Sequence, residues 1–163
     1  MKKQTMTIDE KLNSVRAGVL GSNDGILTVV GVLFSVSAAS GSSFALLIAS
    51  LANLISGAFS MASGEYASVS SQSDSEKVVV QEEKILLKKD FKNQKAAVKD
   101  FYIEKGISPE TSTAIANELL ARKPLETVLS VKYDIALGHY MNPWQAAGSS
   151  LISFTIGGLF PLL

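Results

Sequence analysis

Asp24 and Glu65 are the only charged residues of two long apolar segments, residues 17–39 and 44–69. A carboxylate at membrane depth is energetically costly, and such residues usually mark a path for ions or protons. Met61 precedes Glu65 by four residues, so the two side chains lie one turn apart on the same face of a helix. A thioether beside two carboxylates suits a borderline divalent cation such as Fe(II) better than Ca(II) or Mg(II). The sequence therefore predicts a metal site formed by Asp24, Met61 and Glu65.

Each of these residues also has an ordinary explanation that the sequence leaves open. A methionine in a membrane helix commonly fills space in the core. Glu65 lies close to the end of its apolar segment and could reach the lipid headgroups. Asp24 stands between Asn23 and Gly25, and these residues together weaken a helix. We therefore expect local unwinding at Asp24, which would free backbone carbonyls to coordinate a cation.

The two apolar segments are predicted to span a membrane. At a rise of about 1.5 Å per residue, each can cross a hydrocarbon core of about 30 Å. All 15 Lys and Arg residues lie outside them, either in residues 1–16 or between Lys77 and Lys132. Because cytosolic flanks are enriched in basic residues, residues 1–16 and 70–141 are predicted to be cytosolic.

Residues 17–69 are expected to form a transmembrane hairpin, because residues 40–43 leave room only for a tight turn. Both spans are rich in Gly, Ala and Ser, which allow helix backbones to approach closely in lipid. We expect the two spans to pack together and to hold the two acids at similar depth. A cleaved secretory signal is the alternative for the first span, since small residues follow its apolar run. The acid at position 24 interrupts that run and argues against cleavage.

Residues 70–141 are predicted to form a helical domain. The second span continues without a break, as one helix, to about Lys89. Gly106 is placed to end the next helix, and Ser108 followed by Pro109 is typical of the start of another. A further helix begins near Pro124. The residues predicted to face inward are Ala97, Val98, Phe101, Tyr102, Ile115, Leu119, Leu120, Leu125, Val128, Leu129 and Ile135.

Residues 142–163 open with Asn142, Pro143 and Trp144, which indicate a helix start with an aromatic ring at the membrane interface. The remainder is apolar enough for a third span, and we expect that span to be incomplete because it has no polar flank at Leu163. The predicted fold class is an all-α membrane protein. It comprises a transmembrane helical hairpin, a cytosolic helical domain and the start of a third transmembrane helix.

The composition disfavours several other chemistries. The chain has no Cys, so disulfides, thiolate metal sites and Cys nucleophiles are excluded. His139, the single His, has no second His at metal-binding spacing, which disfavours a His metal site or a catalytic triad. No Gly-rich phosphate loop is present, and no basic stripe interleaved with aromatics suggests nucleic-acid binding. We predict neither an enzyme nor a permanently bound cofactor.

Three segments resemble those of the vacuolar iron transporter family, in the same order: GSNDG at 21–25, GAFSMASGEY at 57–66 and NPWQ at 142–145. The resemblance covers essentially the whole chain. It implies a homodimer in a lipid bilayer, with the metal path at the dimer interface and export of Fe(II) or Mn(II) from the cytosol in exchange for protons. It also implies that Asp24, Met61 and Glu65 match the family's membrane site. The membrane would be the plasma membrane in a bacterium and the vacuolar membrane in a eukaryote.

In the family that the sequence resembles, the cytosolic domain gathers metal with several Glu residues and a Met pair. Glu83 and Asp134 match two of these positions, so we expect weak metal binding by them. The other positions hold poorer ligands, namely Leu86, Gln94, Ala97, Ser130 and Val131. A second class of function therefore stays open: a non-transporting, membrane-anchored helical module that acts through its Lys-rich domain on a protein partner or anionic lipid.

Overall fold

The computed structural model describes residues 8–39, 42–138 and 140–163, which leaves His139 and part of the predicted turn at residues 40–43 outside the described residues. These stretches form six α-helices and one 3₁₀ turn, and the described residues contain no strand. The predicted all-α class is confirmed. The elements are α1 (Ile8–Ala39), α2 (Ser43–Lys89), α3 (Phe91–Glu104), α4 (Pro109–Arg122), α5 (Pro124–Tyr133), α6 (Pro143–Leu159) and the 3₁₀ turn η1 (Phe160–Leu162).

The chain divides into two compact units. The membrane unit comprises Met1–Ser70 and Met141–Leu163, and the helical unit comprises Ser71–Tyr140. In the membrane unit, α1 and α2 are long and apolar enough to cross a bilayer. The single helix α2 contributes its first part to the membrane unit and its last part to the helical unit, as its unbroken sequence predicted.

The closest helix packing in the membrane unit is between α1 and α6. A Cβ added to Gly157 would lie 2.6 Å from the carbonyl carbon of Ser22, and one added to Gly25 would lie 2.8 Å from the nitrogen of Gly158. The Ser22 hydroxyl donates a hydrogen bond of 3.1 Å to the carbonyl oxygen of Ser153. These backbones touch because glycines of both helices meet at one seam, which we call the α1–α6 seam.

The prediction that the two long spans pack closely on each other is therefore wrong. The glycines of α1 face α6, and α2 packs against this pair mainly through side chains. The Phe154 ring of α6 fills the space next to Gly57 of α2. Val29, Leu54 and Ala58 complete a buried cluster with Phe154. Small residues show that a close contact exists but not which helix supplies the partner.

The predicted unwinding at Asp24 is also wrong, because α1 is helical without interruption from Ile8 to Ala39. The glycine that weakens this stretch locally is the residue that lets α6 approach, since a side chain at Gly25 would overlap the Phe154 carbonyl oxygen. Tertiary packing therefore offsets the low helix propensity of Gly25, which costs about 1 kcal/mol relative to Ala.

The helical unit follows the predicted boundaries closely. Asp90 caps α3 by accepting from the Asn93 backbone N–H, and Gly106 follows that helix with a φ of +87°. Ser108 caps α4 through the Thr111 backbone N–H at 3.3 Å. The Gly106 and Ser108 signals are local to a few residues, so the sequence alone was sufficient to place them, whereas the Asp90 cap was not predicted. The core contains Val98, Ala116, Leu120 and Val128, flanked by Leu87, Tyr102 and Val131.

The inward face of α4 differs in phase from the prediction. Its buried residues are Ser112, Ala116 and Leu120, whereas Ile115 and Leu119 are half-buried at the margin. The Ser112 hydroxyl is satisfied by donating to the Ile107 carbonyl oxygen at 3.4 Å. The contact face therefore follows a four-residue spacing that includes the predicted Leu120, with the two small residues Ser112 and Ala116 in place of Ile115 and Leu119. On α5 the buried residues are Thr127, Val128 and Leu129, while Leu125 is half-buried, as is Ile135 just beyond the end of the helix.

Candidate metal site

Asp24 lies on α1 directly before Gly25 and one turn after Gly21, two glycines of the α1–α6 seam. Its side chain is exposed, although both glycines are buried. The seam therefore fixes the backbone on either side of Asp24 while leaving its carboxylate on the surface of the unit. A carboxylate so placed is available to a ligand or to another protein surface.

Met61 approaches α1 beside the position of Asp24. The Met61 Cε atom would lie 3.7 Å from a Cβ at Gly21, which is three residues before Asp24 on α1. Met61 is half-buried and packs against the cluster that contains Ala58 and Phe154. Its side chain therefore serves the core, and it also brings the thioether within one turn of Asp24.

Glu65 follows Met61 by one turn of α2 and is half-buried. The next residue, Tyr66, contacts Trp144 at the start of α6 with ring centroids 4.8 Å apart. Trp144 itself is 75% exposed. Paired aromatic rings of this kind are common at membrane–water boundaries, and the position of Glu65 near such a boundary stays a prediction.

The described residues do not form a closed metal cage within one chain. Among them no group of three or more His, Asp or Glu residues lies close enough to hold a metal ion. Asp24 and Met61 share a neighbourhood through Gly21, and Glu65 lies one turn further along α2. The three predicted ligands belong to two helices, with Asp24 on α1 and both Met61 and Glu65 on α2, and ligands beyond them would be needed to complete a coordination shell.

In the helical unit, Glu83 is fully buried and its partners belong to the protein itself. Oε1 of Glu83 pairs with the Lys132 ammonium and accepts a hydrogen bond of 2.9 Å from the Tyr133 hydroxyl. The Lys132 ammonium also donates to Oε1 of Gln94 at 3.4 Å. None of these Glu83 contacts involves Asp134, which is exposed and ends α5 with a φ of +55°. The two residues predicted to bind metal weakly thus have different surroundings.

The contacts with Glu83 raise the pKa values of the two residues that donate to it, Lys132 and Tyr133. Burial lowers the pKa of Lys132, but the hydrogen bond to Glu83 and its negative charge outweigh burial, so the net pKa is raised. The hydrogen bond to Glu83, followed by burial and the Glu83 charge, raises the pKa of Tyr133. Both shifts favour the protonated forms that donate to Glu83.

Sequence reasoning missed Lys132 and Tyr133 as partners of Glu83. A signal was present, because Glu83 falls between Val80 and Leu87 at helical spacing on an otherwise apolar face. A charged residue on such a face must be paired when it is buried. The partner could not be read from spacing, since Lys132 lies 49 residues away in sequence.

The fold and these residues define an all-α membrane protein with acidic residues on two spanning helices and a separate helical unit. Residues 15–163 match the family model described as the VIT family. A curated relative, the vacuolar iron transporter of Acanthamoeba castellanii (strain ATCC 30010 / Neff), is 37% identical over 149 residues. That alignment covers 91% of this chain and 54% of the relative, so the chain spans about half the length of the Acanthamoeba relative. The chain belongs to the VIT family.

Proposed function

We propose that this protein transports divalent metal ions, moving Fe(II) or Mn(II) out of the cytosol in exchange for protons. Family membership and the name of the Acanthamoeba relative support metal transport. The observation that carries the residue assignment is the position of Met61, whose Cε reaches α1 one turn from Asp24. Asp24 and Glu65 are the proposed charged ligands, and Met61 is the proposed soft ligand that sets selectivity.

Proton exchange follows from the chemistry of the same oxygens. A carboxylate must be deprotonated to bind a metal ion, so a metal ion and a proton exclude each other from the same oxygens. Metal and protons then compete for Asp24 and Glu65. This competition couples the two fluxes without a separate proton path.

A second subunit is part of the proposal. Asp24 is exposed on the membrane unit, and an exposed carboxylate facing hydrocarbon would be strongly unfavourable. A homodimer that covers this face of α1 would supply ligands beyond those of one chain and shield the site from lipid. The cytosolic side is proposed to be that of the helical unit, where the basic residues between Lys77 and Lys132 lie.

The alternative of an interaction module is less well supported by the surface of the helical unit. Several of its cations are paired internally, as in the pairs Lys77–Asp74, Arg122–Glu118 and Lys132–Glu83. Paired charges attract anionic lipid or an acidic partner less strongly than free ones. The unit also carries as many acidic as basic residues, which lowers its attraction to anionic surfaces.

Binding of Mn(II) to the protein in lipid nanodiscs, followed by electron paramagnetic resonance, tests the residue assignment separately from flux. We expect Asp24→Asn and Glu65→Gln each to weaken Mn(II) binding by roughly tenfold or more, equivalent to about 1.4 kcal/mol. Asp74→Asn is the matched control, because Asp74 is an exposed carboxylate of the helical unit. Equal affinities in all three variants would remove Asp24 and Glu65 from the site.

Met61→Leu tests the soft ligand with little change in side-chain volume. We expect Fe(II) binding to weaken while the protein retains its fold, since Leu preserves the packing against the Phe154 cluster. Discrimination against Mg(II), which prefers oxygen ligands, should fall. An unchanged ratio of Fe(II) to Mg(II) affinity would show that Met61 acts only as core packing.

A further inference from the structure

The helical unit buries a carboxylate that lies outside the proposed transport site. Glu83 lies on the face of α2 that also carries Val80 and Leu87, and its side chain is 1% exposed. Burial of an ionised carboxylate costs several kcal/mol unless a counter-charge and hydrogen bonds satisfy it. The surroundings of Glu83 must therefore supply a cation.

That cation is a side chain of the protein. The Lys132 ammonium of α5 reaches Glu83 of α2 and also donates to Gln94 of α3, so one charged group joins three helices. Gln94 is itself buried, and Tyr133 adds a second donor to the same Glu83 oxygen. The resulting site, which we call the Lys132 cage, contains side-chain oxygen atoms of Glu83, Gln94 and Tyr133.

We propose that Lys132 is the resident cation of the helical unit, tethered in the place that a bound metal ion would take. The unit consequently reaches its native packing without metal. Two features support this assignment. The cage is neutral with Lys132 in place, because one carboxylate faces one ammonium. A divalent ion would have to displace Lys132 or leave two cations against one anion, which is electrostatically unfavourable.

The donor set also fits a tethered ammonium better than a divalent ion. An ammonium needs only acceptors around it, and Glu83 Oε1 and Gln94 Oε1 provide them. A divalent ion such as Fe(II) or Mn(II) prefers several charged oxygens or a sulfur ligand, and the Lys132 cage offers one carboxylate. The second oxygen of Glu83, Oε2, is buried and has no hydrogen-bond partner among the described residues. Removal of Lys132 would therefore leave a buried carboxylate with no counter-charge, with Oε1 held only by the Tyr133 hydroxyl and Oε2 available to a new cation.

Hydrogen exchange of the full chain in nanodiscs tests the proposal, because peptides from residues 91–133 report on the helical unit alone. We expect millimolar Mn(II) to leave exchange of the wild-type peptides unchanged. Lys132→Met should lower their protection roughly tenfold or more, because it leaves Glu83 buried without a counter-charge. Mn(II) should restore protection in this variant roughly tenfold when its concentration is ten times the dissociation constant.

Two further variants make the result decisive. Glu83→Gln combined with Lys132→Met removes both charges, and should be better protected than Lys132→Met alone and insensitive to Mn(II). Lys123→Met is the matched control, since Lys123 forms an exposed pair with Glu126. Protection of the wild type by Mn(II), or a Lys132→Met variant that behaves like Lys123→Met, would overturn the assignment. Loss of folding in Lys132→Met and in the double variant alike would do the same.

Discussion

Substitution of Gly157 by Ala tests the packing that fixes the backbone around Asp24. A Cβ at this position would lie 2.6 Å from the Ser22 carbonyl carbon, and it would overlap the carbonyl oxygen. Ordinary contact for such a pair begins near 3.4 Å, so α1 and α6 would have to separate by about 1 Å at this level. The atom in the way belongs to the backbone and cannot rotate aside.

The expected cost combines two opposed effects. Gly→Ala in a helix is favourable by about 1 kcal/mol from propensity alone, whereas forced overpacking costs about 1–3 kcal/mol or more. Separation also weakens the hydrogen bond from Ser22 to Ser153, worth about 0.6 kcal/mol in a membrane protein. We expect Gly157→Ala to be destabilised by about 1–2 kcal/mol net.

Gly148 and Gly31 provide matched controls, because a Cβ at either position meets no atom within 4 Å. Gly148→Ala on α6 and Gly31→Ala on α1 should be neutral or more stable by up to about 1 kcal/mol. Unfolding in mixed micelles at increasing denaturing detergent measures all three variants in one assay. Unfolding of Gly157→Ala and Gly148→Ala at the same fraction of denaturing detergent would show that the backbones of α1 and α6 are not in close contact at Gly157.

Three further predictions concern the helical unit and the membrane boundary. Ser108→Ala should destabilise the helical unit by about 1 kcal/mol through loss of the α4 cap, measured by hydrogen exchange of α4. Lys132 and Tyr133 have raised pKa values in the folded protein, so their contribution to stability is fully present below the ordinary pKa values of 10.5 and 10.0. It is lost as pH rises through the raised pKa values. Unfolding followed by circular dichroism should therefore show a loss of stability that starts near pH 10 and is smaller in Lys132→Met. Fluorescence of Trp144, the only Trp, should be quenched more by lipids brominated near the headgroup than by those brominated deep in the chain.

The sequence predicted the helices of the helical unit because their signals are short-range. The Ser108 cap, the Pro residues that open α4 and α5, and Gly106 after α3 each act within one helical turn. The long continuous α2 was predictable for the same reason, since no breaker separates its apolar and polar parts. These features need no knowledge of distant residues.

Contacts between distant segments were not predictable. Gly25 weakens α1 in isolation, and the sequence did not show that α6 packs against it through the backbone of Phe154 and Gly158. Glu83 was predicted as a weak metal ligand from the family resemblance, and the sequence did not show its pairing with Lys132, which lies on another helix. For the membrane site, the types and spacing of Met61 and Glu65 suggested one helical face, but no sequence pattern showed that Met61 approaches α1 at Gly21.

Metal flux with simultaneous measurement of internal pH tests the central proposal most directly. The protein is placed in vesicles with the side of the helical unit facing outward. The vesicle interior is made acidic, and Mn(II) or Fe(II) is added outside. We predict metal uptake accompanied by loss of internal protons, with both abolished by Asp24→Asn and both retained by Asp74→Asn. Metal uptake that is unchanged by Asp24→Asn, or that proceeds with no proton movement, would contradict the account of Asp24 as a shared ligand for metal and proton.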